Sequence, residues 1–362
     1  MKLKPLVING KQVKFPIIQG GMGIRISLSK LANACINSGI VSTISAAQVG
    51  FLNRNFKKDP MGENKKELKK EIDNIRKVNP NGILGVNLMH AINRFDEYAR
   101  FLATMDIDFI VSGAGLPLDL PEYIKDSKVK GAFIVSSARA AKILLKSWDR
   151  RYHYMPEFVV CEGPLAGGHL GFSKEDMESG NVLSLEDIVK ETKEIVKIYE
   201  EKYGITIPII AGGGVHDGKD MAKMINVGAD GVQISTRFIA SHECDASLEY
   251  KMMIVNSKES DIVRVSSPAG LPGRAVKNYL TETLKEKNIE VSYCVDCLKT
   301  CKKVGIPYCI TEQLGNSSAG DINGLIFTGA KAYLINKLDY VENIVNEIIR
   351  DCKLELNFTG GM

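Results

Sequence analysis

A (β/α)8 barrel with a small segment inserted before its last helix is the fold that three features of the sequence predict. Eight short runs rich in Ile, Val and Phe, each closed by Gly, Ser or Asn, recur through the first two thirds of the chain. Helix-like stretches lie between them, and strand and helix alternating eight times close into a barrel more economically than they spread into an open sheet. After the eighth run the pattern changes to polar turns, Pro268, Pro272, Pro307 and a group of cysteines.

The runs lie at 16–20, 41–45, 83–89, 109–114, 131–137, 158–163, 207–213 and 231–238. Their nearly continuous apolar character is that of parallel strands buried on both faces. Helices are expected at 27–38, 66–77, 95–105, 138–148, 184–202 and 219–227. Ser184, followed three residues later by Asp187, is a capping start. The barrel is assigned to 1–239 plus 322–352, with a strand-like run at 324–327 and a final helix at 341–350. Residues 240–321 read as a small inserted domain, and 353–362 as a frayed tail.

Composition excludes several classes. The 362 residues are 44% hydrophobic and 25% charged, with too few Gly and Pro for a low-complexity chain. Lys and Arg number 47 against 43 Asp and Glu, a balance of +4, and no stretch concentrates basic residues with aromatics. Nucleic-acid binding has no support. No apolar run reaches the roughly 18 residues of a membrane span, and the amino terminus lacks the apolar core of a secretory signal. A cytoplasmic protein acting on a small molecule is expected, with a homodimer as an open option.

In such a barrel the chemistry sits at the carboxyl ends of the strands. The seventh run ends in Ala211-Gly212-Gly213-Gly214-Val215 and the eighth in Gln233-Ile234-Ser235-Thr236-Arg237. Successive glycines expose backbone N–H groups to an anion, and these two loops form the usual phosphate pocket of the fold. The first run ends in Gln19-Gly20-Gly21-Met22-Gly23, a surface of small side chains on which a flat ring can lie. The third reaches Asn87, whose amide both donates and accepts. The sixth continues into Glu162-Gly163-Pro164-Leu165-Ala166-Gly167-Gly168-His169. A histidine in a glycine-rich loop above a barrel suits a general acid or base. His90, His153, His216 and His242 read as ordinary surface residues.

No strand-to-helix turn completes the G-x-G-x-x-G dinucleotide signature, and Gly213 to Asp220 misses a phosphate-binding P-loop by placing Asp220 where Ser or Thr is needed. Cys294-x2-Cys297-x3-Cys301-x7-Cys309 supplies four thiolates over a short span. An iron–sulfur cluster of the 4Fe-4S kind, a structural Zn2+ and buried thiols without metal all fit that spacing. A flavin-free phosphosugar isomerase or synthase shares the phosphate loops, but would need a carboxylate or Lys base at a strand end.

Five segments in order, Pro16 to Gly23, Gly85-Val86-Asn87, Ala166 to His169, Ala211 to Gly214 and Gly231 to Phe238, resemble the nitronate monooxygenase (2-nitropropane dioxygenase-like) flavoproteins. Their superfamily also holds the FMN-dependent enoyl-acyl-carrier-protein reductases. The resemblance implies an FMN-dependent oxidoreductase. FMN would lie over Gly20, Gly21 and Met22, with Gln19, Asn87, Glu162, Gly167, Gly168 and Gln233 around it. Its phosphate would be held by Gly212, Gly213, Gly214, Ser235 and Thr236, and His169 would be catalytic. A nitronate monooxygenase passes an electron from an anionic nitronate to FMN and, with O2, yields a carbonyl compound and nitrite. The reductase alternative uses NAD(P)H and an enoyl thioester. The continuation Gly23-Ile24-Arg25-Ile26 departs from the Trp-Val-Gly or Trp-Val-Ala of several members of both groups. Ser266 to Ala275 is similar to a Pro-Gly-Arg segment of a bacterial subgroup, in which Arg274 would either pair with an anion or make a surface contact.

Overall fold

Two short strands, β1 (Leu6–Ile8) and β2 (Lys11–Val13), open the chain as an antiparallel hairpin that the periodicity of the sequence does not predict. Asn9 and Gly10 both adopt positive φ, 50° and 73°, as an Asn-Gly hairpin turn requires. Leu6, Ile8 and Val13 pack with Ile18, Phe109 and Phe158 in one buried cluster, so the hairpin stoppers the amino-terminal mouth of the barrel. The structure, a computed structural model, describes residues 3–301 and 305–359.

Strands and helices then alternate. They are β3 (Ile17–Gln19), α1 (Ser29–Asn37), β4 (Ser42–Ser45), α2 (Pro60–Val78), β5 (Leu84–Asn87), α3 (Phe95–Leu102), β6 (Phe109–Ser112) and α4 (Leu120–Ile124). The second half runs β7 (Lys130–Val135), α5 (Ala138–Tyr152), β8 (Val159–Glu162), β9 (Gly168–His169), α6 (Lys174–Ser179), α7 (Leu185–Tyr203), β10 (Ile209–Gly212), α8 (Gly218–Val227), β11 (Gly231–Ile234) and α9 (Thr236–Ile239). Eight strands form one parallel sheet in the order β3-β11-β10-β8-β7-β6-β5-β4. A parallel bridge from Ile18 to Val41 joins its two edges, with Gln19 N donating to Val41 O at 2.8 Å and Val41 N to Ile17 O at 3.0 Å. The predicted (β/α)8 barrel is present, and each expected run contains a strand.

Local chemistry sets the helix limits. Asp59 accepts from Gly62 N at 2.9 Å, with Pro60 in the first turn, which starts α2 six residues before the expected 66. Ser184 Oγ accepts from Asp187 N at 3.2 Å at the start of α7. The eighth run is cut short because Ser235 turns the chain into α9.

Beyond α9 come α10 (Leu248–Val255), β12 (Ile262–Ser266), β13 (Pro272–Val276), α11 (Tyr279–Thr283) and α12 (Ile310–Ser318). β13 pairs antiparallel with both β12 and β9, so the loop after the sixth barrel strand is stitched into a three-stranded sheet. Ala269, Ala275, Leu280, Leu298 and Tyr308 share one buried cluster with barrel and helix side chains. The run at 324–327 forms no strand, making only a bridge from Phe327 to Ala275.

The last helix, α13 (Val341–Thr359), lies against α8 and α1 and completes the outer ring. It corrects the expected tail: residues 353–359 are helical, because Val345, Ile348, Ile349, Cys352 and Leu356 continue one buried stripe at helical spacing. The remaining tail residues, 360–362, lie outside the described residues. No described helix is long and apolar enough to cross a membrane.

The barrel floor is held by Asp108, only 2% exposed. Its carboxylate accepts from Leu84 N at 2.9 Å and pairs with Arg76 Nη2 at 3.0 Å and Lys11 Nζ at 2.7 Å, tying β2, α2 and β5 together. Asp108→Ala removes the buried carboxylate from Arg76, leaving it the exposed Asp106 carboxylate at 3.3 Å from Nε, and is expected to cost about 3 kcal/mol. Urea unfolding measures this; an unchanged midpoint contradicts it.

Candidate active site

The carboxyl ends of the strands surround a cavity of about 240 Å3. Gly21 and Met22 enter it after β3, and Asn87 ends β5 at its wall. A Cβ on Gly21 would lie 2.5 Å from the Asn87 Cβ, so the two loops approach this closely only with glycine at 21. Glu162 ends β8 and Gly167, Gly168 and His169 continue around the rim; Gly213 and Gly214 after β10, Gln233 within β11, and Ser235 and Thr236 after it close the cavity. Gly213 and Gly214 hold φ of 78° and 124°, the left-handed region that glycine enters freely.

Three candidate cofactor contacts lie behind this wall. Gln19 is fully buried, donating through Nε2 to Gly20 O and accepting through Oε1 from Ser42 Oγ at 2.9 Å and Thr43 N at 3.3 Å. Its amide stitches β3 to β4 and is not presented to a ligand. Gly20 packs under Ser235, and Gly212 is buried against the Gln233 side chain. Gly20 and Gly212 each support a residue that reaches the cavity.

His169 is held at both backbone and side chain. Its backbone pairs with Gly273 of β13. Its Nε2 lies 2.8 Å from Ser267 Oγ, and its ring meets Phe327 edge-on at 5.2 Å between centroids. Burial pulls its pKa down to about 4, so the imidazole is neutral near pH 7. Glu162 moves the other way: burial raises it to about 7, opposed by the Arg274 charge. Arg274 is itself buried, donating to Ala166 O and, at 2.9 Å, to Pro164 O. It fastens the loop that carries His169 from behind, and its burial rules out the surface contact that the sequence left open.

Several wall residues carry no sequence signal. The segment after 321 contributes Phe327, Thr328, Gly329, Ala330 and Lys331. Gly329 N donates to Thr236 Oγ1 at 3.0 Å and Ala330 N to Leu165 O at 3.1 Å, which seats it on the two neighbouring loops. Lys331 is paired with Asp220 at 2.6 Å and Arg237 with Glu347 at 3.1 Å. His216, expected at the surface, also lines the cavity, and burial followed by the Arg237 charge lowers it to about 4. Its place directly after Gly213-Gly214-Val215 is the signal that could have found it.

Two buried polar atoms on this wall have no protein partner, Thr328 Oγ1 and Arg237 Nε. A buried donor left unpaired is costly, and two beside Gly213, Gly214, Ser235 and Thr236 suit a phosphorylated ligand.

Cys294, Cys297, Cys301 and Cys309 line a separate cavity of about 20 Å3, with Leu298, Ile306 and Ile310 between them. Among the described residues no three His, Cys, Asp or Glu side chains stand close enough to hold a metal ion. The expectation of a 4Fe-4S cluster or Zn2+ at these cysteines therefore has no structural support: apolar side chains share the space in which the sulfurs would have to converge.

Comparison with known proteins agrees with this architecture. The family described as nitronate monooxygenase matches residues 4–351. A probable nitronate monooxygenase of Staphylococcus saprophyticus is 26% identical over 316 residues, covering 80% of this chain and 83% of the relative. Among solved structures, FabK from Thermotoga maritima superposes with a TM-score of 0.74 at 23% identity, covering 96% of each chain. Nitroalkane oxidase from Streptomyces ansochromogenes gives 0.73 at 16% identity, covering 96% of this chain and 98% of its own. These two likenesses are of fold. With the family match spanning residues 4–351, the chain belongs to the nitronate monooxygenase family of oxidoreductases.

Proposed function

We propose that the cavity binds FMN and that the chain oxidises a small nitronate with O2 to a carbonyl compound and nitrite. The observation that carries this reading is one continuous cavity reaching from a glycine-lined cradle with two unpaired buried donors to a fixed, neutral histidine. Gly213 and Gly214 N–H groups with the Ser235 and Thr236 hydroxyls would hold the phosphate, joined by Thr328 Oγ1 and Arg237 Nε. Gly21, Met22 and Asn87 would face the ring, and Glu162, Gly167, Gly168 and Gln233 the remainder of the cofactor. When bound, FMN supplies the one-electron oxidation that precedes reaction with O2.

The chain's own contribution is binding, orientation and exclusion of water. A pKa of about 4 leaves His169 a poor base near pH 7. A neutral imidazole offers one N–H and one lone pair, so His169 orients an anion that is already deprotonated. Ser267 and Phe327 fix the ring in the pose that this requires. The nitronate, and not the neutral nitroalkane, is thus the proposed substrate.

Nitrite release under air tests the reading. His169→Asn is expected to retain FMN and lower kcat/KM for a nitronate at least about 100-fold, the loss that follows removal of a preorganised hydrogen-bond donor; undiminished turnover removes His169 from the mechanism. Consumption of NAD(P)H with an enoyl thioester, and no nitrite from any nitronate, would replace this reading with the reductase one.

Thr328→Val separates ligand binding from folding. The flavin-free variant should melt no lower than the parent, because an unpaired buried hydroxyl is exchanged for a methyl group of similar size. Its affinity for FMN should fall about 10-fold, and unchanged affinity would mean that the hydroxyl does not meet the cofactor.

A further inference from the structure

Among the described residues of 240–321, Leu314 of α12 is the one that reaches the cavity wall. It stands 8% exposed in the principal core cluster, together with Phe327. The helix that presents it is clamped on two sides. Gly315 lies on the Phe51 ring so closely that a Cβ there would come within 2.5 Å of the ring carbons. Leu325 N donates to Gln313 O at 3.1 Å, and Ser317 Oγ donates to Leu325 O. The chain runs from Leu325 directly into Phe327, whose ring packs on His169. Leu314 is therefore held at a set position relative to the histidine, and neither helix rotation nor sliding is free to withdraw it.

The cavity walls near the first barrel loop are also apolar: Ile26 and Ile239 belong to another buried cluster, and the half-buried Met22 packs against it. The charged groups on the wall at the opposite, glycine-lined end are already paired, Lys331 with Asp220 and Arg237 with Glu347. A substrate that places its anionic head at His169 has to lay its remaining carbons against apolar surface, and α12 closes part of that surface with Leu314.

We infer that Leu314 is a specificity-determining residue that limits how long an aliphatic chain the substrate can carry. This rests on the proposed function. Such a limit acts sterically: in an apolar pocket each methylene that fits or fails to fit changes binding by about 10-fold or more. Shortening residue 314 opens room for about two methylenes; lengthening it closes room.

The test uses the FMN-loaded protein and unbranched carboxylates from acetate to hexanoate, planar two-oxygen anions that resemble a nitronate head and do not react. Binding is read from perturbation of the flavin spectrum. In the parent, affinity should rise with length and then break at a definite carbon number. In Leu314→Ala the break should move outward, the first excluded acid gaining about 10-fold, with acetate affinity and flavin content unchanged. Leu314→Met, which conserves volume, should keep the parent's break. An identical break in parent and Leu314→Ala, or equal weakening at every length, overturns the inference. If Leu314→Ala does not fold, Leu314→Phe should move the break inward, and a break that stays in place overturns the inference equally. Because the readout needs no turnover, absence of nitrite release would refute the proposed reaction and leave the size limit standing; failure of the parent to take up FMN overturns both.

Discussion

The pairing of β9 with β13 is the contact on which the site depends. Two residues, Gly168 and His169, join the antiparallel sheet through Arg274 and Gly273, and this converts a loop into a braced wall. The Arg274 side chain reaches through the same wall to the Pro164 and Ala166 carbonyls, so the turn after β8 is held by backbone and guanidinium together. Thr328 N donates to Arg274 O at 3.1 Å, and the run that follows supplies the opposite wall. Residues distant in sequence are set against His169 because β13 stands between them.

Burial then sets the chemistry. Desolvation lowers His169 and His216 and raises Glu162, so the cavity's titratable groups lean towards their uncharged forms. Its two cations are each bound to a carboxylate. A phosphate bound here, as proposed, would meet N–H dipoles, hydroxyls and the unpaired edge of Arg237. Such a site selects by directed hydrogen bonds, which have to be matched in position. That accounts for glycines at 213 and 214, where φ is positive and a side chain would collide with the facing loops.

The strand ends are legible in the sequence because a buried parallel strand announces itself by composition and ends where Gly, Asn or Ser appears. Asn87, Glu162, His169 and the Gly213-Gly214 pair are found that way. Gln19 illustrates the limit: its type and place suit a ligand contact, but side-chain direction at a strand end follows from packing, and its amide is taken up by Ser42 and Thr43. Phe327 to Lys331 have no motif, since only the return of the chain from the 240–321 segment brings them to the wall. The β1–β2 hairpin does carry a local signal, Asn9-Gly10 between short apolar strands; at three residues each, those strands are too brief for periodicity to reveal. The cysteine spacing suggests a ligand set, yet the folded chain lines a cavity with the four sulfurs without closing any three on one point.

The glycine-lined end of the cavity is the proposed phosphate cradle for FMN. The most direct test is the affinity of the flavin-free protein for FMN against that for riboflavin, which has the same ring and ribityl chain and no phosphate. Quenching of flavin fluorescence reads both. FMN is expected to bind at least about 100-fold more tightly than riboflavin, the difference that follows when several charge-assisted hydrogen bonds are removed together. Equal affinities, or no binding of either flavin, would contradict it.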